Sequence, residues 1–171
     1  MARGGLLAKL VSKGIATRRY PYERVEPPEG FRGKIVVDPQ KCIGCGACAR
    51  ACPARAISVE DDEERGIRRI TIFYGRCIFC ARCADVCPLN AISITKEFEL
   101  ATSDLNDLLY AIEHPMAKCV LCGKPFAPQK LVAHVARSMN EETRWLTMLC
   151  PECRSKIVAK AKGFVGWRAW S

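Results

Sequence analysis

The sequence is short of ordinary catalytic material. Its only histidines are His114 and His134, a thin supply for general acid–base chemistry. No run of 18 or more apolar residues occurs, so no membrane-spanning helix is expected. The opening stretch MARGGLLAKLVSKGIATRR lacks the sustained apolar core and small-residue cleavage site of a secretory signal. A cytoplasmic or cytoplasm-facing setting follows, and with it an expectation against a disulfide framework, which belongs to secreted chains.

Excess charge is present, but its distribution weakens the obvious reading. The formal net charge is +9 over 171 residues. Residues 1–35 carry eight basic and three acidic side chains, residues 36–100 nine of each, and residues 101–171 ten and six. The arms are therefore basic and the centre balanced. Four thiolates around a metal centre of charge near +2 add about −2 per filled site, so three such sites would leave a surplus of about +3. With no basic face interleaved with aromatics, a zinc-ribbon nucleic-acid-binding protein is the weakest of the functional alternatives.

Cysteine is what the chain has in abundance, twelve in all. They form three groups of four: Cys42, Cys45, Cys48 and Cys52; Cys77, Cys80, Cys83 and Cys87; Cys119, Cys122, Cys150 and Cys153. Sliding the chain by 35 residues superposes KCIGCGACARACPARAISV (41–59) on RCIFCARCADVCPLNAISI (76–94), aligning all four cysteines and both Pro53 and Pro88. Each half reads C-x2-C-x2-C-x3-C-P, which resembles the motif of bacterial-type dicluster ferredoxins. Zinc sites use two ligand pairs separated by a longer loop, so this spacing speaks for clusters.

Within each half, the first three cysteines lie on a tight loop, eased in the first by Gly44 and Gly46. The fourth follows about one helical turn later and projects away. In dicluster ferredoxins that thiolate ligates the partner cluster. The resulting expectation is one 4Fe-4S cluster on Cys42, Cys45, Cys48 and Cys87, and a second on Cys77, Cys80, Cys83 and Cys52. Pro53 and Pro88 turn the chain after the helical cysteine. Alternation predicts short strands at 34–37, 57–59, 70–74 and 92–94, with residues 60–69 as a solvated hairpin turn. Lys41, Arg50, Arg76 and Arg82 flank ligands, either as potential-raising or docking charges or as solvated surface; Phe79 stands where the first half has Gly44 and is placed to shield the second cluster.

The third group has a different form, two C-x2-C knuckles 27 residues apart. Two such turns complete a tetrahedron of thiolates around a single ion. Zinc is preferred to rubredoxin-type iron, because a closed site supplies folding free energy to a long loop. Leu131, Val132, Val135 and Met139 predict a helix between the knuckles, with His134 packed or on its surface. Leu105, Leu108, Leu109 and Ile112 predict another upstream. Near the N-terminus, Leu7, Val11 and Ile15 recur at helical spacing among Arg3, Lys9 and Lys13, an amphipathic basic segment suited to lipid or to a membrane subunit, or else to the chain's own core. The closing GFVGWRAW reads as a partner-binding peptide.

With these motifs placed, the chain resembles the iron–sulfur subunits of membrane-bound group 4 NiFe hydrogenases, of the formate hydrogenlyase subunit 6 type. The resemblance rests on FRGK (31–34), KCIGCGACARACP (41–53), GRCIFCARCADVCP (75–88), EFELA (97–101) and CVLCGKPFAPQK (119–130). More distantly the chain is similar to the dicluster subunit of respiratory complex I, which makes a complex I-like quinone reductase the main alternative.

The resemblance implies an electron-transfer subunit with no catalysis of its own. It implies as partners the hydrogenase small and large subunits, an electron-donor subunit or ferredoxin, and membrane-arm subunits, at the cytoplasmic face of the membrane, with peripheral membrane contact and no nucleic acid. The expected fold is α+β: an arm (1–33), a dicluster ferredoxin core (34–100), and a helical extension (101–171) carrying the zinc-ribbon or rubredoxin-like site.

Overall fold

The computed structural model describes residues 17–23 and 25–164, with 9, 11 and 12 before them, the side chains of 161–164 excepted. The chain divides into two compact units, Met1–Phe31 and Arg32–Ser171. In the first, Lys9, Val11 and Ser12 are helical and exposed. The rest of the expected apolar stripe, Leu6, Leu7, Leu10 and Ile15, lies outside the described residues, as do Trp167 and Trp170 of the closing peptide. Among the described residues no helix is long and apolar enough to cross a membrane.

The second unit is built around the repeat. The first half contributes β1 (Ile35–Val37), α1 (Ala47–Ala51) and β2 (Ile57–Asp62); the second contributes β3 (Ile67–Phe73), α2 (Arg82–Asp85) and β4 (Ile92–Ile94). These strands match the alternating apolar runs of the sequence. Pairing crosses between halves: β1 runs antiparallel to β4, with Val37 opposite Ile92, and β2 to β3, with Ile57 opposite Ile72. The acidic-then-basic stretch between the halves is the β2–β3 hairpin, whose paired ends set Asp61 against Arg68 and Glu60 against Arg69.

The expected helix at 105–112 is corrected. Residues Leu105–Leu108 form a single 3-10 turn, and Leu109–Lys118 is a ten-residue strand, β5. Its buried positions are Ile112, His114 and Met116, alternating with exposed Ala111, Glu113 and Pro115. That is the period of a half-buried strand, and Pro115 would break a helix. The helical spacing of the leucines misleads because Leu105 and Leu109 are exposed.

β5 pairs with β3, and β6 (Pro125–Pro128) with β5, giving the sheet order β2-β3-β5-β6. The extension thus begins by enlarging the ferredoxin sheet, and only then becomes helical through α3 (Gln129–Ser138), α4 (Glu141–Arg144) and α5 (Pro151–Phe164). On α3, Leu131 and Val132 are half-buried and His134 is exposed.

One core joins the two pairs of strands. Ile35, Val37, Ile57, Ile70, Ile72, Ile92 and Ile112 pack with Tyr74 and Cys83, and the cluster-motif cysteines lie against them. The Tyr74 hydroxyl donates to the Ile35 carbonyl at 2.6 Å, which satisfies the one polar atom that this ring buries. Ile72 is only 1% exposed and sits at the centre. Ile72→Ala is expected to destabilise the folded chain by about 2–5 kcal/mol, read from denaturant unfolding of protein with its metal sites filled; a loss under about 1 kcal/mol would mean that the core does not depend on this contact.

Candidate electron-relay centres

The two cluster loops share a backbone inherited with the repeat. Left-handed residues recur at positions 35 apart: Gly44 (φ 72°) and Phe79 (φ 52°), Gly46 (φ 73°) and Ala81 (φ 70°), Arg55 and Asn90 (both φ 49°). In the first half glycine occupies the two loop positions. The second half holds Phe79 and Ala81 in a region that side chains rarely adopt, strain of the kind that collects at functional loops.

Each loop opens onto a cavity, and the cysteines sort between the cavities by exchange. One cavity is lined by Cys42, Cys45, Cys48 and Cys87, walled by Val37, Ile70, Ile72, Ile92 and Ile112. The other is lined by Cys77, Cys80, Cys83 and Cys52, walled by Ile35, Ile57 and Phe79. Each thus gathers three thiols from its own loop and a fourth from the other half.

The surrounding backbone points at sulfur in matched pairs. Ala56 N–H donates to Cys52 Sγ at 3.3 Å and Ala91 N–H to Cys87 Sγ at 3.2 Å. Phe79 N–H donates to Cys77 Sγ at 3.4 Å, and Gly44 N–H does the same for Cys42. Burial nevertheless dominates, pushing the Cys48 and Cys83 thiols up to about 11. Thiolates in such apolar walls need a bound cation centre to compensate them. The donor sets, the dry walls and the N–H groups aimed at sulfur all fit 4Fe-4S clusters.

The two loops differ in what covers them. Ile43 and Gly44 are buried, whereas their counterparts Ile78 and Phe79 are 63% exposed and half-buried. The cover over Gly44 comes from β5 and β6: a Cβ placed on Gly44 would lie 2.9 Å from Pro128 Cγ and 3.1 Å from His114 Cδ2. Arg68, paired across the sheet with His114, donates from Nη1 to the Gly44 carbonyl at 3.1 Å. Asp61 holds the guanidinium at 2.5 Å (Nε) and 2.7 Å (Nη2).

Neither Arg68 nor His114 is marked by any motif, and only the alternation of β5 signals that His114 points inward. The exposed Lys41, Arg50, Arg76 and Arg82, singled out because they adjoin ligands, all lie on the surface.

The third group converges as its spacing predicts. The sulfurs of Cys119, Cys122, Cys150 and Cys153 all lie within 4.8 Å of one another, and Cys122 Sγ is 3.7 Å from Cys150 Sγ. A tetrahedron with metal–sulfur bonds of about 2.3 Å has edges of about 3.8 Å. Among the described residues no other set of histidine, cysteine or carboxylate ligands gathers this tightly.

Backbone geometry builds the knuckles. Gly123, at φ +74°, lets its N–H return to the Cys119 carbonyl at 2.8 Å. Cys150 N–H reaches Cys119 Sγ at 3.3 Å and holds that thiol down to about 6, whereas its hydrogen bond with Cys150 pushes Cys153 up to about 12. Four crowded thiols cannot all ionise near neutrality without a cation between them. Cys119 and Cys150 are buried with Leu149 against Phe126, Leu146 and Ile157, so the site is the core of the extension.

Comparison with known proteins bears on the cysteine repeat. A family model described as 4Fe-4S dicluster domain matches residues 41–91. Formate hydrogenlyase subunit 6 of Escherichia coli (strain K12) is 42% identical over 155 residues, covering 86% of this chain and 86% of that protein. The chain belongs to the formate hydrogenlyase subunit 6 family.

It is an iron–sulfur electron-transfer subunit and not a catalyst by itself. NAD(P)H-quinone oxidoreductase subunit I, chloroplastic, of Citrus sinensis is 48% identical over 99 residues, 55% of this chain and 59% of that one. The corresponding subunit of Trichodesmium erythraeum (strain IMS101) is 42% identical over 58% of this chain and 50% of its own. The chain thus spans about half the length of these quinone oxidoreductase relatives. A chain in the solved membrane-bound sulfane sulfur reductase, an archaeal respiratory membrane complex, is 34% identical with a TM-score of 0.46, covering 61% of this chain and 56% of that one.

The close cover over Gly44 gives a direct check. Gly44→Val combines a strained φ with a clash against Pro128 and His114. Iron in the purified chain should fall by about half or more relative to wild type, measured by elemental analysis; unchanged iron would mean that the loop does not form around its cargo as described.

Proposed function

We propose that this chain relays electrons through two 4Fe-4S clusters within a membrane-bound NiFe hydrogenase complex of the formate hydrogenlyase type, toward the hydrogenase small subunit. The ligands are Cys42, Cys45, Cys48 and Cys87 for the first cluster, and Cys77, Cys80, Cys83 and Cys52 for the second. The observation that carries the reading is the sorting of these cysteines between two dry cavities, three from one loop and one from the other half in each. When bound, such clusters accept and release single electrons at potentials set by charge, burial and hydrogen bonds to sulfur. The protein's part is to supply the thiolates, aim the N–H groups of Gly44, Ala56, Phe79 and Ala91 at them, and keep water from the isoleucine walls.

The knuckle cysteines Cys119, Cys122, Cys150 and Cys153 hold a structural zinc. Their sulfurs form a closed set with no position left for a substrate, and they pin a helical extension whose own apolar core is small. The partners are the hydrogenase large and small subunits, a donor subunit or ferredoxin, and membrane-arm subunits, with the chain peripheral at the cytoplasmic face. The identity of 42% across most of both chains favours this assembly. A complex I-like quinone reductase is the second reading, supported by the 48% identity over 99 residues.

Purification of the intact complex from solubilised membranes separates the two. A NiFe large subunit co-purifying with this chain is expected; bound flavin and NADH oxidation instead would move the chain to the quinone reductase. On the chain itself, elemental analysis should give about eight irons and one zinc, and EPR of the reduced protein two interacting 4Fe-4S signals. Cys119→Ser should remove the zinc while leaving the iron; about nine irons without zinc would identify a rubredoxin-type site.

A further inference from the structure

The repeat makes the two clusters look equivalent, and the extension makes them different. Gly44, in the first loop, is pressed by three groups from the enlarged sheet: Pro128 of β6, His114 of β5 and the guanidinium of Arg68 on β3. The Arg68 side chain is 16% exposed, while its partner Asp61 is 36% exposed. The carboxylate is thus the better screened of the two charges, and the cation the better retained. His114 is 3% exposed, and its Nε2 has no hydrogen-bond partner among the described residues. Burial, with Lys130 and Arg68 nearby, pushes its proton affinity down. Its ring lies against Gly44, which is buried beside the Arg68 guanidinium.

The second loop has a weaker counterpart. There Phe79 replaces Gly44, and Ile78 is open to solvent. Arg32 approaches the Cys80 carbonyl at 3.4 Å from an exposed position, where water screens its charge. Reduction of a cluster adds one negative charge, so a nearby cation favours the reduced state, and more strongly where water is excluded.

We propose that Arg68, clamped by Asp61 and set beside His114 on the Gly44 peptide, raises the reduction potential of the first cluster above that of the second. Arg68 is a positioning and tuning residue that touches the loop rather than the cluster. The cluster on Cys42, Cys45, Cys48 and Cys87 then holds the electron when the pair carries only one, and the exposed loop at Ile78 belongs to the lower-potential cluster.

This inference rests on the two-cluster reading above, and its test separates the two failures. Wild type, Arg68→Gln and Asp61→Asn are purified as the full chain in its complex, their iron content is measured, and the clusters are titrated by EPR-monitored potentiometry. Arg68→Gln should lower the higher midpoint by about a tenfold change in occupancy, 59 mV for one electron. Asp61→Asn, which keeps the arginine and frees its charge, should raise the same midpoint and leaves a test if the first variant folds poorly. The other cluster should move by less than a third as much in both cases.

Midpoints that stay put in both variants, or two clusters that shift together, would overturn the tuning role while leaving the relay intact. A shift confined to the lower midpoint would overturn it as well. Wild-type protein without two 4Fe-4S signals would instead remove the relay reading itself.

Discussion

Cys52 and Cys87 each leave the half that carries them and enter the cavity of the other. Everything else in the ferredoxin core is arranged around that crossing. Each follows a short helix and is met by the N–H of the residue four further on, Ala56 or Ala91. The strands obey the same rule, since β1 finds its partner in β4 and β2 in β3. Neither half has a complete cavity or a complete sheet alone. Buried thiols that ordinarily resist ionisation become useful here because two groups of four are brought together in apolar walls, where a metal centre supplies the missing positive charge.

The extension completes the asymmetry that the repeat lacks. By adding β5 and β6 to the β2–β3 hairpin, it presses His114 and Pro128 onto one loop and leaves the other uncovered. Its own small apolar core packs Cys119, Cys150 and Cys153 with Leu149 and Phe126. A metal held there as proposed would do more than close a tail. It would anchor the connection from β5 through β6, where Cys119 N–H donates to the Lys124 carbonyl at 2.9 Å, and so bear indirectly on the cover over the first loop.

Much of this was legible from spacing alone. Cysteine intervals and the 35-residue offset identify the loops and the knuckles, because metal ligation imposes rigid distances on the chain, while the expected crossing of the fourth cysteine comes from likeness to dicluster ferredoxins. The four strands of the core follow from isoleucine and valine at alternate positions. The passage at 105–112 misleads because four apolar residues fall at helical intervals, although two of them, Leu105 and Leu109, face solvent. Its true period runs through Ile112, His114 and Met116, and a buried histidine breaks an apolar count. Arg68 was invisible for a similar reason: it is one of many charges in a hairpin, and only the fold shows that its guanidinium turns back to the Gly44 carbonyl.

The pairing of β1 with β4 also governs the order of assembly. Val37 meets Ile92 across 54 intervening residues, a long-range closure of the kind that slows folding relative to local contacts. During synthesis the first motif emerges with Cys42, Cys45 and Cys48 but without Cys87, and nothing made up to that point can finish its cavity. With Cys87 as the proposed fourth ligand, the first site stays one thiolate short until both motifs have been made. A chain cut short between the motifs would carry three thiols of the first set without the fourth, so the crossing makes the full repeat the smallest unit that can hold both sets.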